Sequence, residues 1–107
     1  MQEKSEFGPG IDGKLVEQIV SAILSRKNAE KIVLFGSRAK GDAKKGSDVD
    51  IAVFGKDWND MDINLAKNII EENIKTPVKF DLLNFYALTK NKLKKDIMEQ
   101  GRIIYES

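Results

Sequence analysis

Neither cysteine nor histidine occurs in the 107 residues of this chain. Without cysteine there is no disulfide framework, no thiolate nucleophile and no cysteine-ligated zinc site. Without histidine there is no imidazole base, so serine triads and the histidine-bearing metalloprotease motifs fall together. Any catalysis must run on carboxylates, hydroxyls, lysine or arginine, and on metals that take oxygen ligands, such as Mg2+. The lack of cysteine also suits a reducing, cytoplasmic setting. Long apolar runs are missing as well, and none approaches the ~20 residues that cross a bilayer. Charge of one sign is not in excess, because 18 basic residues nearly cancel 17 acidic ones to leave +1. That balance argues against general affinity for nucleic acid, although a local basic patch stays possible.

What is present fits one small domain. Hydrophobic residues make up 41% and charged residues 33%, a globular rather than a disordered balance. Met1 to Gly10 is polar, carries no signal-peptide core and reads as a flexible leader, so the domain is expected over 11–107. Asp12 is a candidate cap for a helix to about Arg26, with Leu15, Ile19 and Ile23 at helical spacing. Lys31 to Phe35 (KIVLF) is short and β-branched and reads as a buried strand. A loop with Gly36, Gly41 and Gly46 follows, with room for one helical turn over Ser37 to Lys40, and then a second strand over Asp48 to Phe54. Met61, Leu65 and Ile69 mark a second amphipathic helix, and Pro77 ends it. Val78 to Leu83 is expected as a third strand, with Phe80 on one face and Asp81 on the other. Thr89 or Asn91 is expected to cap a last helix over Leu93 and Ile97, closed by Gly101 as the residue after it. Arg102 to Tyr105 then reads as a terminal strand. The order predicts an α/β (α+β) fold, a sheet of about four strands with helices packed on it.

The chemistry concentrates between Leu34 and Gly55, LFGSRAKGDAKKGSDVDIAVFG. Gly36 and Gly41 have the spacing of a Walker A loop, but Asp42-Ala43 stands where Lys-Ser/Thr is required. A dinucleotide fingerprint needs glycine at position 38, where Arg38 stands. A Gly-Ser pair alone is an ordinary strand-ending turn, and acidic residues on a strand are common. Their combination is less ordinary. Residues two apart on a strand share a face, so Asp48 and Asp50 would stand roughly 6–7 Å apart along it. Two such carboxylates repel unless cations lie between them, and a pair of divalent metals about 3.5–4 Å apart suits phosphoryl or nucleotidyl transfer. The Gly36-Ser37 turn adds close backbone approach and N–H groups for a phosphate. Asp81 joins the pair as a third oxygen ligand if its strand lies beside the second. Arg38 is a candidate for bidentate pairing with phosphate and equally for a solvated loop arginine. Lys40, Lys44 and Lys45 read as solvated loop charge, and Trp58, Phe85 and Tyr86 as packing residues.

A Gly-Ser turn, an Asp-x-Asp pair and a later strand-borne Asp resemble the signature of the DNA polymerase β-like nucleotidyltransferase superfamily. The form FGSRAKG…GSDVDIAV is similar to its minimal nucleotidyltransferase (MNT) branch, over roughly Leu15 to Tyr105. The resemblance implies the nucleotidyltransferase fold and an enzyme that moves AMP from ATP to a hydroxyl. It implies that Gly36 and Ser37 bind the triphosphate and that Asp48, Asp50 and Asp81 are catalytic and hold two Mg2+. It further implies the antitoxin half of a two-protein module, acting on a tyrosine of an all-helical HEPN-type RNase partner. Two rivals remain: an antitoxin that silences its partner by docking alone, and a nucleotidyltransferase for a small molecule.

Overall fold

The computed structural model describes residues 11–41, 44 and 46–107. The expected leader and Lys45 lie outside the described residues.

Asp12 caps the first helix as its sequence position suggests, its carboxylate accepting the Leu15 N–H at 2.8 Å. Helix α1 (Gly13–Arg26) buries Leu15, Ile19, Ala22 and Ile23 on one stripe. Strand β1 (Lys31–Phe35) is buried on both faces, which is why KIVLF shows no alternation. A single turn, α2 (Ser37–Lys40), leads through the loop to β2 (Val49–Phe54). Helix α3 (Asp60–Asn73) opens on a capping box in which Asn59 and Asp62 bond each other's backbone N–H. Strand β3 (Phe80–Asn84), a 3-10 turn (Phe85–Ala87), α4 (Asn91–Gln100) and β4 (Arg102–Glu106) complete the chain.

The sheet is mixed, with strand order β3-β2-β1-β4; β1 is antiparallel to β2 and β4, and β2 is parallel to β3. Alternation along the central strands divides the core. Ile32, Leu34, Val49, Ile51 and Val53 pack with α1 and α3 on one face. Val33, Phe35, Ala52 and Phe54 meet Ile97 of α4 on the other, in a smaller cluster. The second face is the one on which Asp50 alternates with Ala52 and Phe54. No helix among the described residues is long and apolar enough to cross a membrane.

Three expectations shift. The third strand begins at Phe80, not Val78, because the Val78 N–H turns to the Thr76 hydroxyl at 3.3 Å instead of entering the ladder. Lys90 stands at the N-terminal cap of α4, without a capping side chain, in place of Thr89 or Asn91. Gly101 itself ends that helix with extended backbone, φ −69°. Its requirement is space, since a Cβ there would lie 2.4 Å from Val33 Cγ1 and 2.3 Å from the Ile97 carbonyl oxygen.

Asp62 joins α3 to α1. Its carboxylate, 2% exposed, accepts from the Asn59 N–H at 2.9 Å, from Arg26 at 2.8 and 2.9 Å, and from Lys27 at 3.1 Å. The Asn59 N–H first, then the two cations, hold it down to about 2. A carboxylate lowered from its usual value near 4 stabilises the fold above that pH and loses the effect as pH falls towards 2. Wild-type thermal stability is therefore expected to drop between about pH 4 and 2. Asp62→Asn should be less stable at pH 7 and flatter across that window, as thermal melts along a pH series would show.

Candidate active site

The site forms where β1 ends and β2 begins. Gly36 follows β1 with φ 75° and ψ −153°, a region that only glycine occupies comfortably. Its carbonyl accepts the N–H groups of Ala39 and Lys40, both at 3.2 Å, so the chain folds at once into α2. Ser37 opens that turn and is half-buried. A Cβ built on Gly36 would lie 2.4 Å from Asp50 Oδ2. The glycine turn and the second carboxylate of Asp-x-Asp are therefore in direct contact.

The ladders explain the placement. Asp50 lies opposite Phe35 of β1 and opposite Asp81 of β3, so the two acids are register partners on adjacent parallel strands. Asp48 sits just ahead of β2 and is exposed; the neighbouring Val49 N–H donates to the Lys79 carbonyl at 2.8 Å, which fixes the strand starts together. Asp50 alternates with Ala52, so it faces the α4 side of the sheet. Burial first, then the charges of Asp81 and Asp48, push the Asp50 carboxyl above its ordinary range. The charges of Asp48 and Asp81 thus both reach Asp50.

Among the described residues no three His, Cys, Asp or Glu side chains are drawn close enough to hold an ion as they stand. The donor chemistry nonetheless fits a divalent metal. The acids offer oxygen ligands of the kind Mg2+ takes, and like charge crowded on a half-buried carboxylate is what a cation relieves. Asp48 is exposed and the Asp81 side chain is 61% exposed, so both have room to turn towards an ion beside Asp50.

Arg38 departs from both expectations set for it. It is fully buried, and its Nη2 donates to the Ser47 carbonyl at 2.8 Å. It ties the start of the loop to the residue before Asp48 and so braces the site; contact with a phosphate would require it to leave the interior. Lys67 was missed altogether. From α3 its Nζ comes within 3.9 Å of Asp81 Oδ1. The only signal in the sequence was its place between Ile63 and Ile70, beside the stripe that α3 buries. Lys40 and Lys44 are exposed, as expected. Trp58 is buried with its Nε1 donating to the Asn28 carbonyl at 2.8 Å, and Phe85 stacks on Phe54 at 4.2 Å. Both are packing residues.

Comparison with known proteins gives the family and the fold. The model of the Polbeta family (Polymerase beta, Nucleotidyltransferase) matches residues 17–107. A protein of Methanocaldococcus jannaschii, named "Putative protein adenylyltransferase MJ0604", is 30% identical over 99 residues, covering 86% of this chain and 96% of the relative. Among solved structures, a toxin-antitoxin crystallised with AMP-PNP superposes with a TM-score of 0.73 at 20% identity, over 86% of this chain and 73% of that one. A mutant of the toxin-antitoxin MntA-HpeT gives 0.70 at 17% identity over the same shares. At those identities the likeness is one of fold.

Proposed function

This chain belongs to the polymerase beta nucleotidyltransferase family, and from that premise we propose that it moves AMP from ATP onto a hydroxyl of a partner protein. One observation carries the reading. The Gly36 turn abuts Asp50, and Asp50 opposes Asp81 in the ladder, so the glycine turn and two carboxylates meet at one place, which we read as a single pocket for phosphate and metal.

Asp48, Asp50 and Asp81 would hold two Mg2+, whose chemistry is to neutralise the triphosphate and make the incoming hydroxyl easier to ionise. Gly36, without a side chain, lets the triphosphate approach the backbone, and the Ser37 hydroxyl donates to a phosphate oxygen. Asp50 is held by its ladder and by Gly36, whereas Asp81 faces solvent where an acceptor enters. The acceptor oxygen bonds to the α-phosphorus as the bond to the β-phosphate oxygen breaks, and pyrophosphate leaves. The acceptor proton passes to a carboxylate oxygen of Asp81, which Lys67 steadies from α3.

The name of the M. jannaschii relative supports a protein acceptor. The fold shared with toxin-antitoxin proteins, one crystallised with AMP-PNP, supports a toxin partner and a nucleotide. An all-helical HEPN-type partner modified on tyrosine rests on the resemblance of FGSRAKG…GSDVDIAV to the MNT branch. Incubation with Mg2+, ATP and the product of a neighbouring HEPN-type gene should add roughly 329 Da, or a multiple, to a partner tyrosine. An unmodified partner that is still silenced by the Asp48→Asn, Asp50→Asn variant would instead establish docking without chemistry.

A further inference from the structure

A groove of about 670 Å3 runs along α4, the helix that covers the Asp50 side of the sheet, and is bounded at one end by Lys40 of α2. Lys40, Lys90, Lys92 and Lys95 line it, against Asp96 and Glu99. Among the described residues, four lysines against two acids leave the lining with two positive charges, in a chain whose whole balance is +1. The groove is also joined to the site. Helix α2 begins at the Gly36 cap and ends at Lys40, a rise of roughly 6 Å. Lys40 Nζ then meets Asp96 Oδ1 of α4 at 3.3 Å, so one wall of the groove is tied to the phosphate turn.

The first turn of α4 adds to the positive character. Its cap, Lys90, provides no capping bond, and the turn holds no acidic residue. Helix starts normally attract such groups because their N–H ends carry partial positive charge. Here that charge is added to the lysines without an offset.

We infer that this groove docks an acidic segment of the acceptor protein and leads its hydroxyl to the carboxylates. The inference rests on the reading that the acceptor is a protein. The lining favours peptide over nucleic acid. Among the described residues it contains no aromatic ring on which a base could stack and no arginine to fork a phosphate. Asp96 and Glu99 would repel a continuous phosphate backbone, whereas they and Gln100 can accept the N–H groups of a peptide. Leu93 gives such a segment one apolar contact. Glutamate and aspartate side chains spaced along a strand can meet the lysines individually and leave Asp96 and Glu99 to the backbone.

The test uses two synthetic peptides, each with one tyrosine, flanked in one by glutamates and in the other by glutamines. Binding to the full chain is read by fluorescence anisotropy without nucleotide at low salt, beside a transfer RNA. AMP addition to the peptides is read by mass. The wild type should bind the glutamate peptide at least about tenfold more tightly than the glutamine peptide, a gap that added salt closes. Lys92→Glu with Lys95→Glu should abolish the gap, and since both lysines are exposed, Mg2+-ATP binding should be unchanged. Equal binding of the two peptides, or a gap that survives in the variant, overturns the inference. So does a loss confined to the transfer RNA, which would make this a nucleic-acid groove. The two readings fail separately. A HEPN-type partner modified equally by both proteins removes the groove and keeps the reaction. A glutamate peptide held through the lysines, with no protein modified, keeps the groove and removes the reaction.

Discussion

Replacing both acids of the pair, Asp48→Asn with Asp50→Asn, is expected to reduce AMP transfer by about a thousandfold or more in a protein that still folds. Loss of groups that merely support a metal ligand costs about 10–100-fold, and here two ligands themselves lose their charge. The fold should respond in the opposite direction. Burial and the charges of Asp81 and Asp48 raise the Asp50 carboxyl, which means that the metal-free fold disfavours its ionised form. A neutral amide of the same shape removes that conflict. In EDTA at pH 7 the double variant should therefore melt no lower than the wild type, and its advantage should shrink as pH falls and Asp50 takes up a proton. Transfer and Mg2+-ATP binding measured by calorimetry complete the test. Wild-type nucleotide binding in the folded variant would remove the metal role from these residues.

The parts of this site that could be read from the sequence are those set by local rules. A β-branched run, a glycine turn and two acids two residues apart each follow from short-range chemistry, and Asp81 was the one acid in an apolar strand. What could not be read depended on contacts between distant segments. Arginine belongs on the surface by composition, and the burial of Arg38 with a bond to the Ser47 carbonyl nine residues on is set by the path of the loop, not by its own residue type. Lys67 meets Asp81 because β3 pairs in parallel beside β2 while α3 packs against it, a topology that no window of sequence contains. The start of β3 moved by two residues for the opposite, local reason: the Val78 N–H bonds the Thr76 hydroxyl two residues earlier, and strand propensity did not weigh enough against it. The direct contact of Gly36 with Asp50 is a matter of register, from the pairing of Phe35 with Asp50.

That contact makes Gly36→Ala the sharpest single test of the site. Alanine is the smallest change available, yet its methyl carbon would fall 2.4 Å from Asp50 Oδ2, and the backbone there has φ 75° and ψ −153°. The backbone strain alone is on the order of 1–3 kcal/mol, which for a domain of this size lowers the melting temperature by roughly 5–20 °C. Either relief, a shift of the turn or displacement of the Asp50 carboxylate, pulls apart the phosphate turn and the metal ligands. Transfer should fall at least about a hundredfold, the usual scale for losing one preorganised group. Two comparisons separate the causes. Gly13→Ala, at the helical start of α1, introduces a methyl group that meets nothing within 4 Å and should leave activity unchanged and stability equal or slightly higher. Gly36→Ala combined with Asp50→Ala removes the clash and keeps the strained backbone, so it should recover part of the lost melting temperature and none of the activity. A Gly36→Ala enzyme with wild-type transfer would show that the turn and the carboxylates work independently, and the single-pocket reading would fall with it.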